Sequence, residues 1–147
     1  MKIVSACLAG MCTRYNGKSK PNAKVMVMLA AGEAIAVCPE QLGGLPVPRP
    51  PSEIKGGDGA KVLDRKAKVL DCNGENVTKQ FIRGANETLK IAKECGAKEA
   101  ILAARSPSCG CGKIYDGKFH GNLKDGDGVT TALLKRNGIK VMTEEDL

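Results

Sequence analysis

The sequence predicts an α/β protein: three layers around a mostly parallel sheet of four to five strands, flavodoxin- or Rossmann-like in order, with a small hairpin added. Three observations carry this reading. Short apolar runs, Ile3–Cys7, Ala34–Val37 and Ala100–Ala104, read as buried strands. They alternate with helix-period stretches closed by Gly32, Gly96 and Gly138, which implies parallel pairing through right-handed crossovers. Each strand-like run also leads to a cysteine: Cys7, Cys38 and, past a short turn, Cys109.

In chain order, Lys2–Cys7 is the first expected strand, and Leu8–Lys20 a loop carrying Cys12, Arg14, Tyr15 and Gly17. Pro21-Asn22 opens a short helix over Ala23–Ala31. Ala34–Val37 is continuously apolar, which predicts a central strand buried on both faces. A long loop follows from Cys38, and its five prolines, Pro39, Pro46, Pro48, Pro50 and Pro51, make it stiff and extended. Ala60–Leu63 and Lys68–Leu70 read as a small hairpin. Thr78 is the expected cap of a helix from Lys79 to Cys95, with Phe81, Ala85, Leu89 and Ala92 on one face and Gly84 as a blemish. Asp116-Gly117 between Ile114-Tyr115 and Lys118-Phe119 is a hairpin signal. A last helix starts at Asp127 or Thr130 and ends at Gly138, Lys140–Met142 is a final strand, and Glu144-Glu145-Asp146 is an acidic tail. The expected order of the core strands is 2-1-3-4.

At 147 residues the chain is expected to be one domain, 1–147. No apolar run approaches the roughly 20 residues that span a bilayer, so no membrane partner is expected. Met1-Lys2-Ile3-Val4 enters a strand directly, without signal-peptide architecture, and a cytoplasmic location is the default expectation. Seven cysteines are many for this length; in a reducing compartment such an excess points to metal, a cluster or catalysis. The net charge of +7 comes from scattered lysines, and two Tyr, two Phe and no Trp offer little for base stacking. A solvated basic surface explains this better than a nucleic-acid footprint.

In parallel sheets ligands sit outside the carboxyl ends of the strands, at the switch point between neighbours. Cys7, Cys38 and Cys109 fall at such ends, and with strands about 4.8 Å apart the three thiols can converge. Three cysteine ligands leave one iron of a four-iron cluster open; structural zinc held by four of Cys7, Cys12, Cys38, Cys109 and Cys111 is the alternative. Cys72 and Cys95 read as incidental. Glu40, two residues past Cys38, is a candidate general acid or base, or else a surface carboxylate. Ser106 and Ser108 are candidates for substrate binding or proton relay, or turn caps. Ser5 is either a substrate contact or a satisfied core hydroxyl. Arg14 and Arg49 are candidates to orient a carbonyl or anion. His120 has no partner spacing. A non-catalytic zinc or electron-transfer module, and a nucleotide- or RNA-binding module, are the rival classes.

Beyond these local readings, several blocks resemble one small bacterial and archaeal family: Val4-Ser5-Ala6-Cys7-Leu8-Ala9-Gly10, Arg14-Tyr15-Asn16-Gly17, Cys38-Pro39-Glu40, Gly43-Gly44-Leu45 and Pro48-Arg49-Pro50. Asn76-Val77-Thr78, Gly84-Ala85, Ser106-Pro107-Ser108-Cys109-Gly110 and Ile114-Tyr115-Asp116-Gly117 extend the match from Lys2 to about Glu144. The family, once catalogued as a domain of unknown function, includes the thiouracil desulfidases. The resemblance implies a 4Fe–4S cluster held by Cys7, Cys38 and Cys109, with catalytic roles for Glu40 and Ser106. It implies a thiolated nucleobase as substrate. A monomer or homodimer is expected, the sequence itself leaving the choice open. Asn16, Ala9 and the additional thiol Cys111 depart from the family pattern.

Overall fold

The computed structural model describes residues 1–147. From the amino end, β1 (Lys2–Ser5) runs into a tight 3-10 turn at Ala6–Ala9, then α1 (Ala23–Ala30), β2 (Ala34–Val37) and the one-turn α2 (Pro39–Leu42). Next come β3 (Ser52–Lys55), α3 (Gly59–Leu63), β4 (Lys68–Asp71) and the long α4 (Thr78–Glu94). The chain closes with β5 (Glu99–Leu102), β6 (Lys113–Tyr115), β7 (Leu123–Asp125), α5 (Val129–Arg136), β8 (Lys140–Thr143) and a 3-10 turn at Glu144–Asp146.

The central sheet is parallel throughout, in the order β2-β1-β5-β8. That is the expected 2-1-3-4 order of core strands. Successive strand side chains point to opposite faces, and the core divides accordingly. Ile3, Ala100 and Leu102 pack with Ala92 of α4 and Leu134 of α5 on one face. Val4 and Ile101 pack with Val25 of α1 and Leu8 on the other. A third cluster, Ile54, Val62, Val69, Phe81, Ala85 and Val129, joins the β3–β4 hairpin and α3 to α4 and α5. Complete burial of each Val, Leu, Ile or Phe side chain among them stabilises the fold by about 1.5–3 kcal/mol.

The structure corrects several boundaries. β2 is an edge strand, paired only with β1. Its apolar run reflects a helix layer on each face: Ile35 packs on the α4 side and Ala36 on the α1 side. Ala60–Leu63 is helical, because Asp58 Oδ1 accepts the Lys61 N–H at 3.1 Å and starts α3. The strand that pairs with β4 is therefore Ser52–Lys55, at the end of the proline-rich loop. Thr78 is the first residue of α4 and not its cap; its Oγ1 accepts the Val69 N–H at 2.9 Å, tying the helix to β4. Asp116-Gly117 makes no two-residue turn. β6 pairs with β7, and residues 116–122 form the connection. The acidic end is not a loose tail: Glu144 Oε1 accepts the Ala104 N–H at 2.8 Å.

Gly84 is a requirement of the fold. A Cβ there would lie 1.9 Å from the Pro39 carbonyl oxygen, and one on Gly43 would lie 1.9 Å from the Gln80 carbonyl oxygen. Backbone thus meets backbone where α2 crosses α4, which sets the position of the turn that follows Cys38. No helix is long and apolar enough to cross a membrane.

Candidate functional site

A cavity of about 470 Å³ opens beyond the carboxyl ends of β1, β2 and β5. Ser5, Cys7, Arg14, Cys38, Glu40, Arg49, Ser106, Ser108 and Cys109 all line it. The three strand-end thiols and all six candidate serine, arginine and glutamate side chains are therefore brought to one place, whereas Cys12 and Cys111 are not.

The three thiols arrive by different routes. Cys7 lies two residues beyond β1, in the Ala6–Ala9 turn, where its carbonyl accepts the Lys20 N–H at 2.9 Å and the Gly10 N–H at 3.2 Å. Those bonds fold the first loop back over the strand end. Cys38 directly follows β2 and occupies the cap position of α2. Cys109 is held by the tight turn Ser106–Gly110: Ser106 Oγ accepts the Cys109 N–H at 2.7 Å, and the Ser106 carbonyl accepts the Gly110 N–H at 2.9 Å. The start of α5 clamps the same turn. Val129 and Thr130 donate backbone N–H groups to the Pro107 and Ser108 carbonyls at 2.8 and 2.9 Å, and Thr131 Oγ1 donates to the Cys109 carbonyl at 2.9 Å. A Cβ on Gly128 would lie 2.5 Å from the Ser108 carbonyl carbon, so this docking requires glycine.

Burial sets the titration of the thiols. It pushes Cys7 up to about 11, with the neighbouring Cys38 thiol adding to the effect. It pushes Cys109 up to about 12, opposed by the Ser5 hydroxyl, which donates to the sulfur at 3.5 Å, and by the Ser108 hydroxyl 3.6 Å away. Cys38 is also raised by burial, opposed by the Gln41 backbone N–H and by the Arg49 charge. A soft cation must displace protons from these sulfurs in order to bind. The donor set fits an iron–sulfur cluster, being all sulfur and drawn from three separate stretches of chain. No group of three Cys, His, Asp or Glu side chains is arranged as a single-ion site in this structure.

Beside the thiols runs a polar file. Arg49, 9% exposed, donates through Nε to Glu40 Oε1 at 2.9 Å, through Nη1 to the Pro46 carbonyl at 3.2 Å, and through Nη2 to the Thr13 carbonyl at 2.9 Å. One guanidinium thus joins the first loop, the proline-rich loop and Glu40. Ser108 Oγ donates to Glu40 Oε2 at 2.8 Å, and Ser106 Oγ lies 3.3 Å from Ser108 Oγ. Ser108 has one hydroxyl proton, and the shorter contact to Glu40 takes precedence over the 3.6 Å approach to the Cys109 sulfur.

Ser5 differs from a free substrate contact. Its oxygen accepts the Ala103 N–H at 2.9 Å and donates to the Cys109 sulfur, so it positions the thiol. Arg14 lines the cavity with no side-chain hydrogen bond to protein and lowers the pKa of Cys7 by its charge. Lys20 Nζ stands 2.8 Å from Glu144 Oε2, a charge contact whose angle falls short of a hydrogen bond.

Cys12 is exposed and outside the cavity, and Cys111 directs its thiol to the Val141 carbonyl at 3.6 Å. Cys95 faces the Ala92 carbonyl of its own helix. Cys72, read as incidental, does line the cavity, as do Glu53, Tyr115 and Phe119. Nothing in the sequence marked these four for the site; the β3–β4 pairing, the end of β6 and the 116–122 connection carry them there.

Parallel α/β topology with a thiol-lined cavity at the carboxyl edge defines a class: an α/β protein whose sheet edge gathers three soft sulfur donors beside a carboxylate. The chain belongs to the 2-thiouracil desulfurase family, whose pattern matches residues 3–146. It is 46% identical over 147 residues to the uncharacterized protein YbbK of Bacillus subtilis (strain 168), covering 100% of this chain and 97% of that one. Among solved structures it is similar to the 4Fe-4S-dependent thiouracil desulfidase TudS. The TM-score is 0.88 at 44% identity, over 99% of this chain and 91% of that one.

Proposed function

We propose that this protein removes sulfur from a thiolated pyrimidine of the 2-thiouracil type without net oxidation or reduction, using a 4Fe–4S cluster held by Cys7, Cys38 and Cys109. The observation that carries the reading is that three thiols and the Ser106–Ser108–Glu40–Arg49 file line one cavity. The similarity to TudS, described as 4Fe-4S-dependent, supports it. A four-iron cluster with three thiolate ligands supplies one iron without a protein ligand, a soft Lewis acid for the substrate sulfur.

The side chains of this chain handle the proton and the water. Ser106 Oγ accepts the Cys109 N–H and keeps a second lone pair for an attacking water. Its own proton passes to Ser108 Oγ, and the Ser108 proton to Glu40 Oε2, so the file accepts one proton as water adds to the thiocarbonyl carbon. Arg49 fixes the carboxylate and supplies positive charge opposite it. When the C–S bond breaks, the same file returns that proton to the departing sulfur and the ring hydroxyl gives up its own, so thiocarbonyl and water become carbonyl and hydrogen sulfide. Oxygen replaces sulfur on the ring, sulfur leaves as sulfide, and no electrons are transferred. Arg14, the one cavity-lining cation with neither a side-chain hydrogen bond nor an ion pair, faces the polar edge of the substrate ring.

The test is to incubate anaerobically reconstituted protein with 2-thiouracil and measure uracil and sulfide together. Equimolar release is expected, and Glu40→Gln should lower the rate by about 10²–10⁴-fold, the usual worth of a positioned general base. Sulfide-free incubation, or full activity in Glu40→Gln, contradicts the reading.

A further inference from the structure

Of the four aromatic residues in this tryptophan-free chain, Tyr15, Tyr115 and Phe119 line the cavity with the thiols, whereas Phe81 is buried in the core. Phe119 also has left-handed backbone, φ +60°, which a bulky side chain adopts only under constraint. Non-glycine residues with this backbone are Arg65, Arg105 and Phe119, and two of the three lie in the cavity wall. Such strain collects at functional sites because the surroundings over-determine it.

The constraint on Phe119 is visible. Glu53 on β3, 9% exposed, accepts the Gly117 and Phe119 N–H groups on one carboxylate oxygen at 2.9 and 3.1 Å. Gly117 is pressed flat on the same strand, where a Cβ would lie 2.6 Å from the Ile54 carbonyl oxygen. The Asp116 N–H closes the base of the connection on the Asn122 carbonyl at 3.0 Å. A buried carboxylate therefore draws the 116–122 connection against β3 and sets the ring of Phe119 at the cavity.

We propose that Phe119 is a specificity-determining residue whose ring packs on the planar heterocycle of the substrate, and that Glu53 is the positioning residue that holds it there. This rests on the desulfidase reading for the identity of the substrate. An aromatic face rewards a flat, conjugated ring over an acyclic thioamide of similar polarity.

Steady-state kinetics of the reconstituted full-length protein with 2-thiouracil and with thioacetamide test the proposal. Phe119→Ala should raise KM for 2-thiouracil about 2- to 10-fold, with a smaller change in kcat, and Phe119→Tyr should restore it. Glu53→Ala should raise KM by a similar factor, Glu53→Gln should recover it by keeping an acceptor oxygen, and the double Ala variant should be no worse than either single one. Preference for 2-thiouracil over thioacetamide should fall in both Ala variants. On titration with uracil, the Phe119 ring-proton resonances of the full-length protein should shift. Unchanged KM in Phe119→Ala, additive effects in the double variant, or a Glu53→Ala variant that loses thermal stability alone would each overturn the assignment. Wild-type protein that leaves 2-thiouracil intact while uracil still shifts the Phe119 ring would refute the desulfidase reading and leave the ring contact standing.

Discussion

Arg49 is the residue on which the geometry of the polar file depends. Its side chain is 5% exposed and that of Glu40 is 13% exposed, so removing one partner strands the other out of water. Arg49→Met is expected to cost about 3–5 kcal/mol in urea unfolding, the usual penalty for breaking a buried pair. The thiols give two further expectations for cluster-free protein. Folded Cys7 holds its proton up to about 11, while the unfolded thiol releases it near the ordinary thiol value of 9.0. As pH rises through that window the unfolded chain sheds the proton first, so stability falls with rising pH between those two values and is undiminished below them. Denaturant midpoints across the window check this; a flat profile contradicts it. In alkylation followed by mass spectrometry, exposed Cys12 and Cys72 should react first and Cys109 last, because burial keeps Cys109 both protonated and shielded. The chemically distinctive residues were legible one by one, since thiols and a carboxylate at strand ends advertise themselves. The Arg49–Glu40 pair was not, because it forms only once the proline-rich loop folds back on the first loop.

At the scale of elements, two contacts place the site: α2 against α4, and the Ser106–Gly110 turn against α5. Both depend on glycine backbone meeting backbone. Gly84→Ala should destabilise the protein by about 1–3 kcal/mol and, by displacing the turn that carries Cys38 and Glu40, lower kcat by up to about 10²-fold. Thermal unfolding and turnover of the same preparation check this; wild-type values for both would show that α2 is free to move. Gly84 looked like a flaw in a helix because propensity is local and the crossing is not. The same limit explains the misread hairpin: Ala60–Leu63 has strand-like residues, yet the Asp58 cap and the burial of Val62 decide for helix. β2 shows the converse, since two covered faces look in sequence like two neighbouring strands. Long α4 was readable because periodicity suffices for it; the 2-1-3-4 order rested on assuming a flavodoxin-like sheet, since crossover handedness alone leaves the order open, and the observed pairing agrees with it.

Across the whole molecule, a parallel sheet gathers residues distant in sequence at one edge, and this chain uses that edge for sulfur. Cys7, Cys38 and Cys109 follow three adjacent strands, and Ser5 and Arg49 brace two of them through the Cys109 sulfur and Glu40. Burial raises all three thiols, so reconstitution with iron should release protons and proceed more readily as pH rises toward the values of the free thiols. The most direct measurement is iron and acid-labile sulfide per chain after anaerobic reconstitution, in the wild type and in Cys7→Ala, Cys38→Ala and Cys109→Ala. The account predicts about four of each in the wild type, as a 4Fe–4S cluster requires, and loss of the cluster in every variant. A full complement in any one variant, or a wild type that takes up a single zinc ion in place of iron and sulfide, would contradict it.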